Sequence, residues 1–173
     1  SGLSGSGSTD FAIRDVFVPE DHALSLGVDG PLPRPLYQFP QFGLLGMGIA
    51  AVALGLARAA IDELVELAGA KTSTGASRTL ANRPGTQSEV ALAEATLRSA
   101  RAFYYEAIEN AWQEALVGKL TTPSRRDIRL ATTHATRAAA EAVDRMYHLG
   151  GGTSVYHNSP LQRIFRDVHV ATQ

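Results

Sequence analysis

The sequence has 173 residues, of which 45% are apolar and 19% charged, enough for one globular domain and too apolar for a disordered tail. Its 16 basic and 17 acidic residues leave a formal net charge of −1, which offers no electrostatic footprint for nucleic acid or for an anionic membrane. The absence of cysteine excludes a disulfide scaffold, a thiol nucleophile and a Cys-ligated metal site, and is compatible with a cytoplasmic setting.

The chain opens on Ser1-Gly2-Leu3-Ser4, with no initiating Met, basic segment or apolar segment of a signal peptide, and reads as a cut from something longer. Phe11 to Val18 has the composition of a strand that stops at Pro19. A lone strand is marginal in water, so this one is expected to be the last piece of a sheet whose other strands lie upstream. From Pro19 to Pro40 the residues Gly27, Gly30, Pro31, Pro33 and Pro35 prevent regular structure, as in a connector draped over a neighbour.

After Pro40 the spacing predicts helices. The first covers about Phe42 to Ala70 and begins with an uncharged run, Phe42 to Ala57, shorter than the roughly 20 residues that cross a bilayer. Its small residues (Gly46, Gly48, Ala50, Ala53, Gly55) permit close approach on several sides, and predict a buried, central helix. Gly75, Pro84 and Gly85 interrupt the pattern, and Thr86-Gln87-Ser88-Glu89 then reads as a capping box at a second helix start. The stripe Val90, Ala93, Leu97, Ala100, Tyr104, Ala107, Ala111, Ala115 carries that helix to near Gly118. Thr122-Pro123 opens a third, with Ile128, Ala131, Ala135, Ala138, Ala142, Met146 and Leu149 on one face as far as Gly150. Ser159-Pro160 opens a shorter fourth with Leu161, Ile164, Phe165 and Val168 on its apolar side. The predicted fold is all-α: an antiparallel four-helix-type bundle preceded by a β-strand remnant.

Neither a phosphate loop of the G-x-x-x-x-G-K-[ST] type nor a G-x-G-x-x-G turn is present, and no Glu-x-x-His pair supports a di-iron core. The five histidines have no i, i+4 partner for a helix-borne metal site. Four features remain open between structure and chemistry. Gly150-Gly151-Gly152-Thr153-Ser154 either ends a helix or approaches a ligand. Ser77-Arg78 is either a solvated turn or an anion contact, and Arg163, Arg166 and Asp167 read as a surface ion-pair face. His169, at the edge of an apolar stripe, is either a packing residue or a catalyst.

Gly2-Leu3-Ser4-Gly5-Ser6-Gly7-Ser8-Thr9-Asp10 followed by Val16-Phe17-Val18-Pro19-Glu20 resembles the junction that leaves the β-domain in the acyl-CoA dehydrogenase superfamily. Leu161-Gln162-Arg163-Ile164-Phe165-Arg166-Asp167-Val168-His169 is similar to the closing helix of its two-component, reduced-flavin-dependent monooxygenase branch, whose members hydroxylate aromatic or heteroaromatic compounds. The resemblance covers essentially the whole chain. It implies that residues 1–41 are the end of a middle β-domain and a connector, and that residues 42–173 are the C-terminal helical bundle of a homotetramer.

By the same resemblance, flavin (FAD or FMN) lies between the β-domain and the bundle, with help from a neighbouring subunit. Arg78 then matches the place where a basic residue meets the flavin phosphates of the adjacent protomer, and Gly150, Gly151 and Thr153 match the glycine-rich turn near the nucleotide end. Gln87 matches a position packed in that interface. Ser4 departs from the Arg that many relatives carry, and the run Val170-Ala171-Thr172-Gln173 departs from the Tyr-Glu-Gly-Thr segment of the fatty acyl-CoA dehydrogenases. His169 then implies a base that hydrogen-bonds or deprotonates a phenolic substrate, while a separate flavin reductase supplies reduced flavin that activates O2. The rival readings are an acyl-CoA dehydrogenase on the same fold, and a noncatalytic oligomerisation bundle. The isolated chain is expected to be inactive, because most walls of the flavin site lie upstream.

Overall fold

The computed structural model describes residues 9–24, 32–118 and 120–173. The junction residues Gly2 to Ser8 and the connector residues Gly27, Gly30 and Pro31 lie outside the described residues. Four α-helices form the bundle: α1 (Gln41–Ala70), α2 (Pro84–Leu116), α3 (Thr122–Gly150) and α4 (Pro160–Ala171), with a 3-10 turn at Gly151–Val155.

The expected strand does not form. Residues 11–18 are exposed and irregular, and Asp15 takes φ +50, which breaks an extended run. A strand is held by its neighbours, and no other strand is present among the described residues to pair with it.

The three long helices and the shorter fourth stand where the periodicity puts them, but the centre of the bundle is α3 rather than α1. Helix α3 packs along both α1 and α2, while α1 and α2 touch little. Its alanine-rich face lets both neighbours approach closely: Ala131, Ala135, Ala138, Ala139 and Ala142 are all buried. Helix α1 buries one face (Ala53, Ala57, Ile61, Leu64) and exposes another, where Phe42, Leu45, Ile49 and Val52 are open to solvent. Its most apolar 18-residue window has a mean hydropathy of 2.0 and is one third buried, so by length and composition α1 could cross a membrane. The 16-residue uncharged run is embedded in a helix of 30 residues that also carries Arg58 and Asp62.

The capping box is likewise displaced. Pro84, with its preset φ, starts α2 two residues before Thr86, and Arg83 caps it without a side-chain hydrogen bond. Thr86 is buried, and Glu89 turns outward to an ion pair with Arg145 of α3 at 2.6 Å. At the start of α3 the cap is real: Thr121 Oγ1 accepts from the Ser124 amide, while the Glu114 carboxylate accepts from the Thr121 amide at 2.8 Å.

Candidate functional site

Two clusters lie at the C-terminal end of α3. The first is built on the glycine turn. Helix α3 ends at Gly150, and Gly151 takes φ +54, a conformation that side chains rarely adopt. A Cβ on Gly150 would fall 2.1 Å from Ser154 Oγ and 2.9 Å from Leu161 Cδ1, so the turn closes against α4 only with glycine there. Gly152 has open space around it.

Lys71, the residue that caps the C-terminus of α1, reaches this turn. Its ammonium donates to the Gly150 carbonyl and, at 2.7 Å, to Thr153 Oγ1. The first contact satisfies a terminal carbonyl at the negative end of the α3 dipole. An ammonium has three donors, and two are used here. The third is left for water or an anionic group beside the glycine turn.

Arg78 is not part of this cluster. It is exposed in the 71–80 turn, which is pinched by the bridge between Thr72 and Thr79 and by the Leu80 amide on the Lys71 carbonyl at 2.8 Å. Among the described residues Arg78 forms no hydrogen bond or ion pair. The structure therefore brings together Gly150, Gly151 and Thr153, and adds Lys71. Lys71 belongs to no motif in the sequence; its place at the head of a glycine-containing turn is the one signal that marks it.

The second cluster joins α3 and α4. His169 Nε2 lies 2.8 Å from Asp144 Oδ1. Phe165 meets the His169 ring edge-on at 4.5 Å between centroids and stacks on Tyr147 at 4.3 Å. An ionised carboxylate only accepts, so Nε2 carries the hydrogen and neutral His169 presents Nδ1 as its basic nitrogen. His169 is thus neither a plain packing residue nor a free surface group: its side chain is 41% exposed. Asp144, 25 residues earlier on another helix, had no sequence signal. Arg163, Arg166 and Asp167 form no ion pair among the described residues, contrary to the expected charged face. Gln87 is exposed and donates to the Ala81 carbonyl at 2.9 Å.

Residues 47–173 match the family described as acyl-CoA dehydrogenase, C-terminal domain, and the chain belongs to it. The chain is 42% identical over 173 residues to an indole-3-acetate monooxygenase of Pseudomonas putida, and 35% identical over 173 residues to one of Acinetobacter baumannii. Each likeness covers 99% of this chain and 44% of that protein, so the chain spans less than half the length of these curated relatives. The structure is similar to that of XiaF from Streptomyces sp. in complex with FADH2 and glycerol, with a TM-score of 0.81 at 23% identity, covering 93% of this chain and 43% of that one. At that identity the last likeness shows the fold alone.

Proposed function

We propose that this chain is the C-terminal helical bundle of a two-component flavin-dependent monooxygenase that hydroxylates an aromatic or heteroaromatic compound. The observation that carries the reading is the likeness along nearly the whole chain to two proteins named as indole-3-acetate monooxygenases. Residues 1–41 are the end of a preceding β-domain with its connector, and residues 42–173 are the bundle of a cytoplasmic homotetramer.

Lys71, Thr153 and the Gly150-Gly151 backbone hold the phosphates of the flavin, FAD or FMN, with Arg78 a more distant cation for the adjacent protomer. When bound, reduced flavin delivered by a separate reductase would supply the electrons that activate O2. His169 does the proton work. Asp144 accepts from Nε2–H and holds the ring, and Nδ1 takes the proton of a phenol, or accepts a hydrogen bond from an indole N–H, which raises electron density at the carbon to be hydroxylated. The same carboxylate stabilises the imidazolium that results.

The full-length protein, given reduced flavin, O2 and indole-3-acetate or a phenol, is expected to form a hydroxylated product. Anaerobic bleaching of its flavin by a saturated acyl-CoA, with no product from any aromatic compound, would place it among the dehydrogenases instead.

A further inference from the structure

Five residues at the junction of α3 and α4 close a circuit that begins and ends at Asp144. Its carboxylate accepts from His169 Nε2 at 2.8 Å. The His169 ring meets Phe165 at 4.5 Å between centroids and an interplanar angle of 64°, and Phe165 stacks on Tyr147 at 4.3 Å and 28°. Tyr147 meets His148 edge-on at 6.0 Å, and His148 Nδ1 returns to the Asp144 backbone carbonyl at 2.7 Å. A carbonyl only accepts, so Nδ1 of His148 carries the hydrogen.

The register of the two helices builds this arrangement. Phe165 and His169 stand one turn apart on α4, and Asp144 and Tyr147 stand three residues apart on α3. Each helix therefore gives one polar and one aromatic side chain to the same contact. Phe165 and Tyr147 also pack against the main core, which holds both rings in place.

The hydrogen bond to Asp144 does not by itself orient the imidazole. It pins Nε2, but the terminal torsion of a histidine is broad, and the ring can swing about that bond. Solvent offers no second restraint to a side chain that is partly open to it. The direction of Nδ1, the nitrogen that faces the substrate proton in the reading above, depends on the ring plane. A misplacement of about 1 Å can cost roughly 10²-fold in rate. Phe165 is the aromatic neighbour that bears on that plane.

Resting on the monooxygenase reading, we infer that Phe165, backed by Tyr147, is a positioning residue for His169: it sets the plane of the imidazole and so aims Nδ1. Asp144 fixes the tautomer, and Phe165 fixes the direction.

The test uses 4-nitrophenol, whose absorbance reports its ionisation, bound to the flavin-loaded full-length protein at a pH where the free probe is mostly neutral. The wild type is expected to bind it as the phenolate. Phe165→Leu removes the ring with little change in volume. It is expected to lower the ratio of ionised to neutral bound probe by about tenfold or more and to slow hydroxylation similarly, with flavin affinity within twofold. Tyr147→Leu, which withdraws the support from the other helix, is expected to shift the ratio the same way, and Phe165→Tyr, which keeps the ring, to restore it. Circular dichroism checks the fold of each variant. A merely structural role would move the melting temperature and leave the ratio alone. An unchanged ratio in Phe165→Leu, an equal loss in Phe165→Tyr, or a parallel loss of flavin affinity would overturn the inference. So would a wild type that does not ionise the probe. If such a result comes with hydroxylated product from the wild type, the monooxygenase reading stands without it; if the wild type hydroxylates no aromatic compound, both fall.

Discussion

Lys71 at the end of α1 and Thr153 in the turn after α3, 82 residues apart in sequence, are joined by a hydrogen bond of 2.7 Å. The same ammonium holds the Gly150 carbonyl, so one cation ties the end of α1 to the end of α3. In the full-length protein Lys71→Met is expected to weaken flavin binding by about 10- to 150-fold, the range of a lost charge-assisted contact of roughly 1.5–3 kcal/mol. Arg78→Ala, which removes a cation outside the cluster, is expected to cost less. Quenching of flavin fluorescence on titration measures both, and an equal or larger loss in Arg78→Ala would return the phosphate contact to the 71–80 turn.

The glycine turn makes a sharper steric prediction. Gly150→Ala drives a methyl group into Ser154 and Leu161 and is expected to destabilise the bundle by about 1–3 kcal/mol, as overpacking does. Gly152→Ala meets no neighbouring atom within 4 Å and is expected to leave the melting temperature nearly unchanged. Thermal unfolding followed by circular dichroism separates the two.

Tyr104 links α2 to α1 through its hydroxyl, which donates to the Met47 carbonyl at 2.7 Å. Burial, with Tyr105 nearby, pushes its pKa above the ordinary value of 10.0. The folded state therefore favours the neutral phenol. Its contribution is fully present below about pH 10 and is lost as the pH rises through the folded pKa. Tyr104→Phe is expected to cost about 1 kcal/mol at neutral pH and to flatten the alkaline fall in stability. Urea unfolding at a series of pH values reads both effects, and an unchanged alkaline slope would show that other groups set it.

Much of this fold is legible in the sequence, for a physical reason. Small residues at spacings of three and four, from Ala93 to Ala115 and from Ala131 to Ala142, specify close-packed helices whatever surrounds them. Features that depend on partners are less legible. The Phe11 to Val18 strand needs neighbours that the described residues do not include, and Phe42, Leu45 and Ile49 look like core but are exposed in this chain. Glu89 reads as a cap, yet Pro84 starts the helix earlier and Arg145 takes the carboxylate. The glycine turn was visible as a motif, whereas Lys71 and Asp144 become partners of Thr153 and His169 only through tertiary packing.

Asp144 is expected to matter through His169 alone. In the full-length protein Asp144→Ala releases Nε2, lets the ring change tautomer and removes the charge opposite the imidazolium. Hydroxylation should slow by about 10²-fold or more, at the low end of what a positioned base supplies, while flavin affinity stays within twofold. A parallel loss of flavin binding would mean that the pair acts only as a strut between α3 and α4.

The central claim, a monooxygenase whose proton acceptor is His169, is tested most directly by mixing the reduced, flavin-loaded full-length protein with oxygenated buffer and indole-3-acetate, then partitioning the consumed O2 between hydroxylated product and hydrogen peroxide. The wild type is expected to give mainly product. His169→Ala should consume O2 at a similar rate, form product about 10²- to 10⁴-fold more slowly, and release the difference as hydrogen peroxide. A His169→Ala protein that still couples O2 to product, and differs only in melting temperature, would contradict the account.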